Sequence, residues 1–347
     1  MHLNEKTKKL RLPAAPVVVA LAVLGLVSWI YSLTIGTVSY PFAEVAGVVF
    51  GTKTDPALTA VVWQLRAPRG LLALIAGAGL ALAGVAMQTL VRNPLADPYL
   101  LGVSSGASVG ATAVLTTGVL GAFGLYALSL GALIGALIAT ITVYAVTIAQ
   151  GGLSPLRLIL SGVVLSSAFS ALASFLVFKS PDARAAQSVM FWMLGSVAGA
   201  QWHKLWLPLV AVLIGVAVLW ALGPQLDAMA AGPDTAAALG VRVPAMMKLL
   251  FVLQAVLVGV LVAVAGGIGF VGLVVPHLAR MLVGSAHRRT LVVAPALGAV
   301  FLLWVDIIAR VSAAPQEIPL GVVTGIVGAP LFLILMGRGN VRFGASS

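Results

Sequence analysis

Charge is what this chain has least of. Only 8% of its 347 residues are Asp, Glu, Lys or Arg, against about 25% in an ordinary soluble domain. So little charge cannot clothe a water-soluble surface of this size. With 61% hydrophobic residues, the expected class is an all-α polytopic membrane protein. The apolar runs do not alternate as the strands of a membrane barrel must. Cysteine is absent, which excludes disulfides, thiolate metal sites and thiol redox chemistry. The dipeptide Gly-Lys never occurs, so there is no Walker loop for ATP. No Ser/His/Asp set and no His-x-x-Glu-His run offers a catalytic centre. A channel needs a filter or a ring of charge, and neither is visible. An ion-coupled carrier needs acids at mid-span; only Asp306 comes close, toward one end of its span. The chain is expected to be no enzyme and to hold no metal or cofactor of its own.

What remains is a series of apolar runs. Ten spans are expected, at about 13–33, 70–91, 99–120, 124–148, 156–178, 204–222, 248–265, 270–284, 291–309 and 319–336. The first run is too long for a signal peptide and lacks a small-x-small cleavage site, so it is expected to be retained. With the N-terminus inside, 13 of the 20 Lys and Arg fall on the inner side and 7 on the outer. This places both termini in the cytoplasm and accounts for the net charge of +11 without invoking nucleic acid. Trp29, Tyr31, Trp63, Trp192, Trp202 and Trp206 then form an outer aromatic belt. Two polar segments stand out, an outer loop at about 36–65 with a short helix after Pro41 and a cytoplasmic segment at about 223–247. Nothing divides residues 1–347 into separate domains.

The stretch from Arg66 to Gly110 organises the chain: RAPRGLLALIAGAGLALAGVAMQTLVRNPLADPYLLGVSSGASVG. Its uncharged run from Gly70 to Val91 is 22 residues, roughly 33 Å of helix and enough to cross a bilayer. Arg92-Asn93-Pro94 stops it. Arg66, Arg69 and Arg310 all lie at outer span ends, where they either snorkel to the interface or serve a function. Asp306, one helical turn before Arg310, is a natural internal partner, and Glu317 is another. In the fifth span Ser166, Ser170 and Ser174 repeat every four residues on one face, which fits either helix packing or a pathway wall. The inner sequence GPDTAAALGV, Gly232 to Val241, predicts a short helix with Pro233 at its first position, Asp234 in its first turn and Gly240 as its C-cap. His277 has no second histidine at ligand spacing and reads as structural.

The Arg66–Gly110 stretch resembles the signature of the FecCD-type permeases, the transmembrane subunits of type II ABC importers for ferric siderophores, haem and cobalamin. Gly266 to Arg280 (GGIGFVGLVVPHLAR) and Leu320 to Pro330 (LGVVTGIVGAP) are similar to two further blocks of that family. The resemblance implies the type II importer permease fold, with spans two to five inverted against seven to ten. It implies two permeases, identical or paralogous, around a shared pathway. It also implies two ATPase subunits that bind ATP and magnesium, an extracytoplasmic binding protein, and a location in the inner membrane of a bacterium among its lipids. By the same resemblance, Asp234, Ala238, Leu239 and Gly240 belong to a coupling helix on the ATPase. The family often has an acid where Pro233 stands here. Ser154, Pro155 and Leu156 match its cytoplasmic gate, and the serine face of the fifth span lines the pathway. Arg66, Arg69 and Arg310 match arginines that pair with glutamates of the binding protein. The expected cargo is an iron chelate, foremost a ferric siderophore, with haem or cobalamin as the alternative. An ion-coupled secondary transporter is the rival from another class.

Overall fold

The computed structural model describes residues 12–52 and 55–338. The terminal stretches assigned to the cytoplasm, with Lys6, Lys8, Lys9, Arg11 and Arg342, lie outside them, as does Lys53. Every regular element among the described residues is helical. α1 (Ala14–Ser32) is the first span. α2 (Phe42–Val49) follows Pro41 as expected. α3 (Pro56–Ala60) then runs through a π turn, Val61–Arg66, into α4 (Ala67–Val91). The second half of the expected outer loop is therefore helical, and two local causes account for it. Asp55 accepts the amides of Ala57 and Leu58 at 2.9 and 3.4 Å, and Pro56 takes the first helical position. The wide π turn lies just before Pro68, whose ring can neither donate to the preceding turn nor sit close to it.

A 3-10 turn, Pro98–Leu101, leads into α5 (Val103–Thr117), which fills the third span with only 15 residues. α6 (Ala127–Ala149), α7 (Pro155–Lys179), the short α8 (Ala183–Met193) and α9 (Trp202–Ala221) follow. The inner segment holds α10 (Gly223–Ala230) and α11 (Pro233–Ala238). α12 (Val243–Ala265), α13 (Val271–Val283), α14 (His287–Val311) and α15 (Leu320–Arg338) complete the chain. Among the described residues, seven helical stretches are long and apolar enough to cross a membrane, and α13 and α15 are shorter apolar helices.

α4 is the hub. In its most apolar window 78% of residues are buried, against 11% in α1. Lipid gives helices no hydrophobic reason to associate, so close backbone approach through small residues must hold them. A side chain at Gly77 would collide with the carbonyl of Gly298 on α14, and one at Gly84 with the carbonyl of Gly272 on α13. Gly106 and Gly110 of α5 meet Gly135 and Gly131 of α6 in the same way. Two tryptophans of the expected belt tie the outer ends together. Trp29 Nε1 donates to Ala67 O at 3.2 Å, and Trp202 Nε1 to Trp63 O at 2.7 Å.

Candidate functional site

The Gly77–Gly298 contact sets the register of two antiparallel helices. Arg69 lies eight residues outward from Gly77, and Asp306 eight residues outward from Gly298. Each step is about 12 Å along its helix, so the two side chains meet. Arg69 Nε and Nη2 donate to Asp306 Oδ1 at 2.9 and 2.8 Å, and Nη1 donates to Glu317 Oε1 at 2.7 Å. Arg310, one turn beyond Asp306, binds its other oxygen. Arg310 also donates to the carbonyls of Ser32 and Ile35, both at 3.2 Å. Arg66 turns back toward the chain, donating to Leu33 O at 2.8 Å and to Val38 O, with its guanidinium 5.1 Å from the centre of the Tyr40 ring.

Of the two readings that the sequence leaves open for these arginines, the internal one describes their contacts. Arg66, Arg69 and Arg310 do not stand out as a wet rim; Arg66 is 7% exposed and Arg310 2%. For Arg69 and Arg310 the cause is Asp306, which is fully buried and must be compensated by charge and hydrogen bonds; Arg66 is instead held by the carbonyls of Leu33 and Val38. The internal pairing with Asp306 and Glu317 is the arrangement found. Arg69, with 11% of its side chain exposed, and Glu317, with 33%, form the more open edge of the cluster.

On α7, the serine face divides. Ser166 packs against the turn at Gly102, where an added Cβ would lie 3.1 Å from its Oγ. Ser170 and Ser174 open onto a groove of about 430 Å³ between α7 and α8, shared with Val189, Met190 and Met193. Ser174 Oγ donates to Ser170 O at 2.9 Å, so its hydroxyl proton is already used by the helix. At the other end of α7, Ser154 caps the helix by accepting the amide of Arg157 at 3.3 Å, and Pro155 holds the first position. Leu156 projects with 66% exposure. Arg157 folds back onto the carbonyls of Gly151 and Gly152 at 2.6 and 3.2 Å.

α11 ends as its sequence predicts. Gly240 adopts φ +80°, and its amide bonds Ala237 O while that of Val241 bonds Ala236 O, both at 2.9 Å. That is the two-bond Schellman closure, which favours glycine at this position. Ala236 is buried, whereas Asp234 and Ala238 are exposed and Leu239 is 69% exposed.

Several polar contacts went unread in the sequence. Gln88, the only amide in the uncharged run, donates to Leu273 O at 3.2 Å and accepts from Arg280. Tyr99 brackets Ile268 through its O–H and the Ile268 amide, at 3.2 and 3.1 Å. Gln254 donates to Pro98 O at 2.6 Å. Asp97 accepts the Tyr99 amide at 2.8 Å; burial pushes its carboxyl up, against that hydrogen bond. A lone amide in an apolar run was the available signal for Gln88 and Gln254. Gln88 finds Leu273 185 residues away and Gln254 finds Pro98 156 residues away, and neither leaves a local trace. His277 joins no ligand set, and among the described residues no group of His, Asp or Glu could hold a metal ion.

Residues 23–338 match the model of the FecCD transport family. The cobalamin import system permease protein BtuC of Halobacterium salinarum is 40% identical over 81% of this chain and 74% of its own length. The molybdate import system permease protein MolB of Haemophilus influenzae is 37% identical over 91% of this chain and 94% of its own. A solved structure, described as an inward-facing conformation of a metal-chelate type ABC transporter, superposes with a TM-score of 0.82 at 36% identity, covering 94% of this chain and 100% of that one. With the helical order, the hub around α4 and the three sequence blocks all in agreement, the chain belongs to the FecCD transport family and is a permease of an ABC importer.

Proposed function

We propose that this chain forms half of a pathway through which an intact metal chelate enters the cell, driven by ATP hydrolysis in separate subunits. The observation that carries the reading is the groove between α7 and α8, whose lining of hydroxyl, thioether and aliphatic groups is neutral. Such a wall suits a bulky ligand that already wraps its metal. A bare oxyanion such as molybdate calls for cationic or amide donors. Among chelates, a cobalt corrinoid stands ahead of a ferric siderophore or haem, because a relative at 40% identity carries cobalamin in its name and one at 42% carries vitamin B12. The ferric siderophore stays as the second reading, supported by the metal-chelate transporter that shares this fold.

In this reading, a second permease closes the pathway. Ser170 and Ser174 face it while Ser166 braces the wall from behind against the Gly102 turn, Ser154, Pro155 and Leu156 narrow its inner exit, and α11 seats on an ATPase. The binding protein docks at the outer end, at the edge formed by Arg69 and Glu317, with Arg66 and Arg310 as the frame beneath it. Uptake of radiolabelled cyanocobalamin, a ferric hydroxamate siderophore and molybdate into cells carrying the complete transporter tests the substrate. Chelate uptake should exceed molybdate uptake. Ser170→Trp/Ser174→Trp should cut it about tenfold or more by filling the groove, with ATPase association unchanged. Molybdate uptake without chelate uptake would overturn the reading, and uptake persisting without any ATPase would favour an ion-coupled carrier.

Orientation has its own test. The chain lacks cysteine, so single thiols report cleanly. In intact spheroplasts, Phe50→Cys, at a site 80% exposed, should react with an impermeant maleimide. Asp234→Cys should not react until the membrane is opened. Labelling of position 234 from outside would invert the topology.

A further inference from the structure

The register that joins Arg69 to Asp306 at the outer end also brings two polar residues together at the inner end. Thr89 lies 12 residues inward from Gly77, and His287 lies 11 residues inward from Gly298. His287 Nε2 is 2.8 Å from Thr89 Oγ1, and Nδ1 is 2.6 Å from Asp227 Oδ1 on α10. The same carboxylate oxygen accepts the backbone amide of His287 at 2.9 Å. Asp227 therefore caps α14 from another element, placing a negative charge where a helix N-terminus favours it. His287 is 8% exposed and Thr89 5%. One residue along, the Arg288 guanidinium stands 5.3 Å from the centre of the Trp220 ring on α9. A Cβ at Gly223, the first residue of α10, would press on the Arg288 side chain.

Proton counting shows that the bridge is firm. The Thr89 hydroxyl has one proton and two neighbours, Val85 O at 2.8 Å and His287 Nε2. With a neutral ring, the hydroxyl donates to Nε2 while Nδ1–H donates to Asp227. With a charged ring, Nε2–H donates to the hydroxyl, which then turns to Val85 O. Both arrangements keep α10, α14 and α4 joined.

We propose that Asp227, His287 and Thr89 form a positioning bridge that carries movement of α11 to the inner end of α4. The proposal rests on the reading of α11 as the element seated on the ATPase. Only Ala231 and Gly232 separate α10 from α11, so displacement of α11 pulls on Asp227. The pull reaches His287 at the start of α14 and Thr89 near the end of the hub helix. Beyond α4, the chain continues through Pro98–Leu101 to Gly102, which sits against Ser166 of α7. A Cβ at Gly162 of α7 would strike Leu100 O. The segment that directly follows α4 is thus in packed contact with the helix that carries the proposed gate and pathway residues.

The test uses the complete transporter in nanodiscs, with Ser154→Cys in both permease copies and the cysteine-free chain as background. The readout is the change in crosslinking between the two gate cysteines on adding magnesium ATP and vanadate. Thr89→Val, which keeps the shape of the side chain, and His287→Ala should each reduce that change about fivefold or more, the scale of a typical coupling energy. The double variant should do no worse than either single one, because both cut the same link. His287→Gln should restore most of the response, since its amide can donate to Asp227 and accept from Thr89. ATPase stoichiometry and basal ATP hydrolysis should match the parent in all of them. A response within twofold of the parent in His287→Ala, or single effects that multiply in the double variant, would overturn the bridge. So would a parent gate that does not respond to nucleotide, because there would be no movement to carry. Failure of the α11 reading shows separately, as retention of the ATPases by Leu239→Asp.

Discussion

Replacing Asp306 with alanine should lower the stability of the solubilised protein by about 3–5 kcal/mol, the cost of leaving buried charge without its partner. Asp306 is fully buried and shared by two guanidiniums, Arg69 on one oxygen and Arg310 on the other. Together with Glu317 the four groups sum to zero charge. Removing Asp306 leaves Arg310, at 2% exposure, without a carboxylate, whereas Arg69 keeps Glu317 at 2.7 Å. Arg310→Ala should cost less than Asp306→Ala, because Arg69 still neutralises the remaining acid. Arg66→Ala should affect mainly the outer segment, releasing the carbonyls of Leu33 and Val38. The measurement is thermal unfolding in detergent by intrinsic tryptophan fluorescence, with binding-protein affinity recorded on the same variants. A loss below about 1 kcal/mol for Asp306→Ala, the range of an exposed pair, would show that water reaches the cluster. Arg310→Glu that weakens docking with stability intact would return that arginine to the surface role.

Gly240→Pro should abolish transport while leaving the membrane-embedded part folded. The residue sits at φ +80° and donates the hydrogen bond that closes α11. Proline has no such donor, and its ring requires φ near −65°. The helix end then opens, and the exposed Leu239 side chain beside it is displaced. Leu239→Asp should act without unfolding the helix, because that side chain is 69% exposed and packs little within the chain. It should release the ATPase by placing a charge in an apolar contact. Gly240→Ala should be milder, about 1 kcal/mol of strain at the cap. Size-exclusion stoichiometry and uptake decide the matter. Gly240→Pro and Leu239→Asp variants that keep both ATPases and transport at the wild-type rate would remove α11 from the coupling role.

The α11 region was legible because its signals are local. Pro233, Asp234 and Gly240 each act within one turn, so their order along the chain is enough to place a capped helix. The spans were legible for a related reason. A run without charge must find lipid or protein, and its length decides whether it crosses. Where the signals conflicted, the reading slipped. The stretch before Pro68 reads as loop, yet Asp55 and Pro56 start a helix there and a π turn carries it into the helix that holds the proline.

The destination of the polar side chains was decided by the tertiary structure alone. Asp306 and Arg310 are one turn apart and were paired from the sequence. Arg69 is 237 residues from Asp306, and His287 is 198 from Thr89. Those partnerships exist because α4 and α14 touch backbone to backbone at Gly77 and Gly298, which fixes what faces what at both ends. A sequence shows that a glycine permits close approach, but not which helix will approach. An arginine at a span end is therefore equally compatible with open water and with a carboxylate on a helix hundreds of residues away. In this chain the buried charge of Asp306 decided the outcome, because an uncompensated carboxylate in an apolar bundle costs more than drawing two arginines inward.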